Sequence, residues 1–292
     1  MEYPHYSVDG VPLNDPAGRW FVDGGSMELP ELAGARAVTV TVPGRHGTIP
    51  VAPLELEPTT LGCRLVVTDR TPGGVPGGVR QLQTNYETVK SLVGQRRRLA
   101  VLGYHLDPDT TRTAEAIVIS ASTAELLSTT TLRLPLLWQI PGVCWRDQHP
   151  TTWETGLPLI DPTPVATLDG STAPITDALI RITGPANKPW LLDWATGGEL
   201  AVDQAVDGGE WLLLDCGRMR ATLTTTDTWD LDAGTDVTGM VATRGPGSGT
   251  RWLHLTPVMV GGDPDTRRVE VTAGATSQSG AVLEIRARRA YL

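Results

Sequence analysis

Six tryptophans lie in the second half of this 292-residue chain, where their flat indole rings could contact sugars or a partner protein. They are Trp153, Trp190, Trp194, Trp211, Trp229 and Trp252. An exposed indole offers an apolar face on which a sugar ring stacks, whereas a buried indole fills a core. Trp229 lies in the polar stretch TDTWDLDAGTD, and Trp153 lies in a Pro- and Thr-rich stretch. We predict Trp229 and Trp153 as partner or glycan contacts, with core packing as the alternative for all six.

The aspartates around Trp229 could supply oxygen ligands to a calcium ion: Asp227, Asp230, Asp232 and Asp236. The ligand order of an EF-hand is absent, because there is no Gly at its sixth position and no closing Glu. A solvated acidic loop is the simpler interpretation. The five histidines have no second His or Cys at metal-binding spacing, and neither HExxH nor GxSxG occurs. We expect no catalytic residue, no cofactor and no metal ion.

The composition is ordinary for a soluble protein with an acidic surface. The 24 basic and 33 acidic residues give a net charge of −9, which argues against nucleic-acid binding. Three widely spaced cysteines form no disulfide framework and suit a reducing cytoplasm. No apolar run is long enough to cross a membrane, and the start has no secretory signal pattern. All but two of the basic residues are Arg, a skew that a GC-rich genome would produce.

A short strand followed by an exposed turn is predicted near the start of the chain. Alternating valines favour a strand at residues 37–41. Pro43 and Gly44 end it, because Pro has no amide donor and Gly permits a sharp bend. Arg45 and His46 then lie on the turn, and they are our candidate for an assembly surface.

Residue patterns in the rest of the first half of the chain predict one helix with strands before and after it. Leu82, Tyr86, Val89 and Val93 share one face of a helix over residues 80–93. Short apolar or alternating runs between turn residues predict the strands. They lie at residues 6–13, 20–22, 60–68, 99–105, 113–122 and 132–140.

The stretch 145–164 is rich in Pro, Asp and Thr and has no period, so we predict a linker there. We expect one domain at residues 1–147 and another at 148–292. Regular alternation of apolar and polar residues in the second domain indicates sheets with one solvated face, which is typical of a jelly-roll sandwich. Its predicted strands lie at 178–183, 190–194, 199–202, 210–215, 218–225, 251–256, 267–272 and 281–288.

The order of these segments resembles the distal tail proteins of long-tailed, siphovirus-type bacteriophages. The turn VPGRHG follows a strand soon after the start, and residues 85–145 give one helix, a strand, a hairpin and a long strand. DALIRITGPANKPWLLDWATGGEL, followed by GGEWLLLDCGRMRATL, resembles the C-terminal domain of that family, although Lys188 separates Asn187 from Pro189. The implied fold is all-β with one helix: an N-terminal β-sandwich with the helix and an extended hairpin, then a C-terminal galectin-like or jelly-roll β-sandwich.

The resemblance implies a structural minor tail protein of the virion, assembled in the host cytoplasm, with no enzymatic activity and no membrane contact. A homohexameric ring of N-terminal domains would join the tail-tube protein to the tail-tip or baseplate hub protein, and DNA would pass through its lumen. The Arg-rich composition would suit an actinobacterial phage. The outer domain would contact receptor-binding proteins or host glycan.

Two alternatives remain open at this point. The tryptophans suit a carbohydrate-binding module or adhesin that attaches to a host surface. A glycosidase would need a cleft with two carboxylates roughly 5–10 Å apart.

Overall fold

The protein is all-β with one α-helix, as the sequence predicts. This computed structural model describes residues 4–26, 28–36, 39–41, 43–44, 46–50, 55–94, 98–121, 123–245 and 251–292. The chain divides into two compact units: unit 1 comprises Met1–Gln148 and Leu292, and unit 2 comprises His149–Tyr291. Within each unit the described strands pair in antiparallel fashion.

Unit 1 contains the helix and a large sheet with two small hairpins beside it. Its elements are β1 (His5–Val8), β2 (Val11–Pro12), β3 (Trp20–Val22), β4 (Ala35–Arg36), β5 (Thr39–Thr41), β6 (Thr48–Pro50), β7 (Glu55–Leu56), β8 (Thr59–Thr68), α1 (Gly78–Val93), β9 (Ala100–His105), β10 (Thr111–Ala121), β11 (Glu125–Ser128), β12 (Thr131–Ile140) and β13 (Trp145–Asp147). The large sheet runs β2–β1–β9–β10–β12–β8–β3, with β11 added to β12 and β13 to β10. The small hairpins are β4–β7 and β5–β6.

The longest pairing in this sheet joins β12 to β8, from Thr131 opposite Thr68 to Ile140 opposite Thr59. Every second side chain of β12 is buried, and Trp138 is almost inaccessible. The period of two that the sequence shows in this strand therefore places one row of apolar side chains in the core. Pro135 is accommodated opposite Arg64, so it does not end the strand.

Helix α1 packs against β8 through an apolar stripe. Leu82, Val89 and Val93 are buried as predicted, but Tyr86 is only half-buried. Asn85 takes the inward position instead, and its side-chain amide donates to the Thr68 and Arg70 carbonyls at 2.8 and 2.7 Å. A buried polar group that makes two hydrogen bonds fixes the position of the helix on the sheet.

Side chains accept hydrogen bonds from backbone amides along part of one edge of β8. The Ser26 hydroxyl accepts from the Arg64 amide at 3.0 Å, the Glu28 carboxylate from the Gly62 amide at 2.5 Å, and the Glu31 carboxylate from Thr60 at 3.3 Å. A free strand edge exposes a row of amides that can pair with another chain. Here three side chains occupy alternate amides of that row.

Unit 2 contains two larger sheets. Its strands are β14 (Thr151–Gly156), β15 (Leu159–Pro164), β16 (Leu179–Thr183), β17 (Ala186–Asn187), β18 (Trp190–Asp193), β19 (Gly198–Val202), β20 (Ala205–Val206), β21 (Trp211–Asp215), β22 (Arg220–Thr224), β23 (Thr235–Asp236), β24 (Val241–Arg244), β25 (Val258–Val260), β26 (Asp263–Arg268), β27 (Glu270–Gly274), β28 (Ser277–Gln278), β29 (Val282–Ala287) and β30 (Ala290–Tyr291). Short 3₁₀ helices lie at Ala166–Leu168, Leu231–Ala233 and Thr238–Met240.

The first sheet has the order β14–β29–β16–β21–β22–β23, and the second has the order β15–β27–β18–β19–β24. Each contributes a row of buried apolar side chains, such as Ile180 and Leu283 in the first and Leu191 and Leu200 in the second. Strands β20–β17–β28 and β25–β26 form smaller sheets. The opposite face of the first sheet is polar and carries the main candidate site.

Four sequence predictions are wrong in detail. The predicted strand 6–13 is a hairpin of β1 and β2 with a turn at Asp9 and Gly10. The predicted linker 145–164 contains β13, β14 and β15, so it is not irregular. The predicted strand 251–256 forms only isolated bridges, one of them between Leu255 and Ile175. The predicted strand 267–272 is interrupted at Val269, between β26 and β27. Strands β14 and β15 lie at sheet edges, and the sequence of 145–164 does not alternate regularly between apolar and polar residues, so it does not indicate these strands.

Candidate interaction sites

The predicted turn joins β5 to β6. Thr41 lies opposite Thr48, and Gly44 and Gly47 have positive φ angles of 81° and 82°, which a side chain would disfavour. His46 is exposed on this turn, while Arg45 lies outside the described residues. Residues 37 and 38 of the predicted strand are likewise outside them. The turn therefore presents His46 to solvent, where a partner could reach it.

Exposed apolar side chains are frequent in the described part of unit 1. Leu126 and Leu127 on β11 are 67% and 43% exposed, and Ile119 on β10 is 49% exposed. Leu29 and Leu32, beside the β8 edge, are 67% and 79% exposed. Neighbouring leucines on both faces of one short strand favour a surface that another protein covers.

Trp229 belongs to a loop that is fastened over the polar face of the first sheet of unit 2. This loop, residues 225–234, follows β22. The Thr222 and Thr224 hydroxyls donate to the Leu231 and Ala233 carbonyls at 2.9 and 3.1 Å. The Asp230 carboxylate accepts from the Asp232 amide at 2.9 Å and caps a 3₁₀ turn. These bonds hold the indole in a half-buried position.

Two arginines project from that sheet face towards the indole. In the pairing of β16 with β29, Arg181 lies opposite Glu284 and Leu179 lies opposite Arg286, so both arginines share one face. The guanidinium carbon of Arg181 is 4.7 Å from the Trp229 ring centroid, and that of Arg286 is 5.7 Å from it. Both distances are within the range of a cation–π contact.

Arg181 is also the centre of an ion-pair network. Its Nε and Nη2 atoms donate to the two Glu284 carboxylate oxygens at 2.5 and 2.8 Å, and its Nη1 atom donates to Asp227. The two hydrogen-bonded carboxylates raise the pKa of Arg181, Glu284 first. The side chains of Arg181 and Glu284 are only 12% and 10% exposed, so this pair is largely shielded from water.

Two clefts share Trp229, Leu179 and Asp177 as walls. One, of about 380 Å³, has acidic walls that include Asp230 and Asp232. The other, of about 300 Å³, is lined by Arg286 and Arg288 as well. Arg288 donates to Asp177 at 3.1 Å. The second cleft thus combines an aromatic ring with two cations and one acid.

The other tryptophans differ in exposure. Trp153 on β14 lies opposite the buried Ile285, and its ring is half-buried. Trp211 is half-buried at the start of β21. Trp194 directly follows β18 and is 55% exposed, more than Trp229 or Trp153. Sequence reasoning missed Trp194, although the Thr-Gly-Gly turn signal that follows it marks a strand end.

The acidic loop is partly neutralised, because Asp227 pairs with Arg181 and Asp232 pairs with Arg220 at 2.6 Å. Among the described residues, no three His, Cys, Asp or Glu side chains are grouped so that they could hold a metal ion. Within the same part of the chain, no helix has the length and apolarity that a membrane span requires.

Comparison with solved structures identifies a similar architecture over the whole chain. The crystal structure of the Dit protein of phage SPP1, described as a paradigm of the hub adsorption apparatus of phages that infect Gram-positive bacteria, matches with a TM-score of 0.61. The match covers 98% of this chain and 99% of the other at 14% identity. The chain shares the fold of this Dit protein. A weaker similarity, with a TM-score of 0.40 and 9% identity, links 98% of each chain to the phage P2 baseplate in its activated conformation with Ca. No protein-family model and no curated protein sequence matches the chain.

Proposed function

We propose that this chain is a structural protein of the distal end of a phage tail. The observation that carries the proposal is the shared fold with the SPP1 Dit protein along almost the full length of both chains. A fold alone does not define a function. The sequence order of turn, helix, hairpin and C-terminal strands supports the same assignment independently.

In this proposal, copies of unit 1 associate head-to-tail into a closed, homohexameric ring. A head-to-tail interface that closes gives a ring, and one that does not close gives a filament. The exposed leucines of β11 and of residues 28–36 are suitable contact residues for such an interface. The β5–β6 turn with His46 lies on the assembly surface.

The ring joins the tail-tube protein on one side to the tail-tip or baseplate hub protein on the other, and DNA passes through it during ejection. A net charge of −9 favours the passage of DNA over its retention. Unit 2, a galectin-like or jelly-roll domain in this proposal, contacts receptor-binding proteins or host glycan. The protein catalyses no reaction and belongs to the virion of an actinobacterial phage.

The solution mass of the purified chain, measured by light scattering with negative-stain images of the same peak, tests the ring. We expect rings with six times the 31.2 kDa of one chain. The double variant Leu126→Ser/Leu127→Ser should shift the mass towards the monomer, and Met259→Ser, an exposed apolar side chain of unit 2, is the matched control. A monomer at every concentration, without rings in the images, would exclude self-assembly of the isolated protein.

A further inference from the structure

The two arginines that contact Trp229, Arg181 and Arg286, differ in their ion pairing. Arg181 is neutralised by Glu284 and Asp227. The guanidinium of Arg286, among the residues that the structure describes, forms no hydrogen bond or ion pair and only lies against the indole. It is half-buried in the wall of the 300 Å³ cleft. A guanidinium that faces a cleft without a protein anion has donors available to an anionic group of a ligand.

We infer that the cleft between Trp229 and Arg286 binds an acidic saccharide, a sugar that carries a carboxylate or phosphate group. The acidic group would pair with the Arg286 guanidinium, whose fork of donors matches both kinds of anion. The apolar face of the sugar would pack against Trp229 and Leu179. Asp177, in the same wall, can accept hydrogen bonds from hydroxyl groups.

Charge supports this choice of cleft and of ligand. The chain carries a net charge of −9, and the neighbouring cleft has more acids than bases in its walls. The Arg286 cleft has two arginines and one aspartate, so it is a positive site on an acidic protein. Its volume of about 300 Å³ lies at the small end of ligand pockets. A sugar ring suits this size and the aromatic wall better than the broad, flat contact of a protein partner.

This inference stands without the ring proposed above, because all the residues concerned lie in unit 2. Calorimetric titration of the whole chain with glucuronate, glucose 6-phosphate and glucose tests it. We expect at least one acidic sugar to bind roughly tenfold more tightly than glucose, as one charge-assisted hydrogen-bonded pair would give. Comparison of the two acids distinguishes carboxylate from phosphate.

Substitutions then assign the site. Arg286→Gln should abolish the preference for the acidic sugar, and Arg286→Lys should restore part of it. Arg218→Gln, which changes an exposed arginine of the neighbouring cleft, should leave the preference intact. Equal binding of acidic and neutral sugars, no saturable binding of any of them, or an unchanged preference in Arg286→Gln would overturn the inference. So would an acidic peptide that binds more tightly than the sugars.

A second readout locates the ligand. The indole N–H resonance of Trp229, assigned by its absence in Trp229→Phe, should shift on addition of the acidic sugar. The indole resonance of Trp194, which is exposed elsewhere on unit 2, should not shift. A shift of Trp194 without a shift of Trp229 would place the ligand outside the cleft and contradict the inference.

Discussion

The guanidinium of Arg181 lies under the indole of Trp229, 4.7 Å from the ring centroid, while it holds the carboxylate of Glu284 on the neighbouring strand. One side chain thus links a sheet to the loop that covers it. The loop contributes Asp227 to the same guanidinium. The position of Trp229, and with it the shape of both clefts, depends on this arginine.

Replacing Arg181 by Met should destabilise unit 2 by about 3 kcal/mol, because Glu284 would stay shielded from water without its partner. Urea unfolding followed by tryptophan fluorescence measures this change. Arg220→Gln removes a more exposed ion pair with Asp232 and one hydrogen bond to the Leu231 carbonyl, and should destabilise unit 2 much less than Arg181→Met. A double variant, Arg181→Met/Glu284→Leu, should recover much of the loss. Similar losses of unfolding free energy in Arg181→Met and Arg220→Gln would contradict the idea that burial makes the Arg181–Glu284 pair the more important one.

A histidine pair predicts how the stability of unit 1 depends on pH. His5 and His105 are opposite residues of β1 and β9, and their rings stack at 4.6 Å. Burial lowers the pKa of His105, and the charge of His5 lowers it further. Below the ordinary pKa of 6.5, the unfolded chain therefore binds more protons than the folded chain.

The free energy of unfolding should consequently fall as the pH drops from about 6.5 towards the lowered pKa of His105. Urea midpoints measured across this range test the expectation. His105→Gln should flatten the dependence, while the exposed turn variant His46→Gln should leave it unchanged. If the free energy of unfolding rose on acidification through this pH range, the predicted effect of the lowered His105 pKa would be contradicted.

The β8 edge gives a third prediction. Glu28→Ala removes the acceptor of the Gly62 amide, and a lost hydrogen bond of about 1 kcal/mol should accelerate its hydrogen exchange roughly fivefold. Glu115→Ala, on the exposed face of β10, is the control and should not change Gly62 exchange. Unchanged protection of Gly62 in Glu28→Ala would mean that the carboxylate does not hold this amide.

Thiol reactivity gives a fourth prediction. Burial raises the pKa of Cys63 to about 11 and also raises that of Cys216, so neither forms the reactive thiolate at pH 8. Cys144 is partly accessible. A disulfide reagent should modify Cys144 first in the native protein and the other two only in urea. Simultaneous modification of all three would contradict the burial of Cys63 and Cys216.

Strong periodicity made much of the fold predictable. The apolar stripe of α1 and the alternation of β12 each point one face to a core, and both elements form where the sequence places them. Strand β14 was not predictable in this way, because it is an edge strand with mostly exposed side chains. Its pairing with β29 joins segments that are far apart in the chain.

The candidate site could be predicted only in part. The polar surroundings of Trp229 single out this residue in the sequence, but they predict an open, solvated loop. Its half-buried position depends on Arg181 and Arg286, which reach it from two different strands. Such contacts between distant segments leave no local signal in one sequence. The exposure of Trp194 depends in the same way on a turn geometry that composition does not determine.

The location of the protein in the virion tests the central proposal most directly. Gold-labelled antibodies against this chain, applied to intact particles of the phage that encodes it and imaged by negative stain, report that location. We predict label at the tail end farthest from the capsid. Label on the capsid or along the whole tail tube, or purified particles that lack the protein, would contradict the proposal.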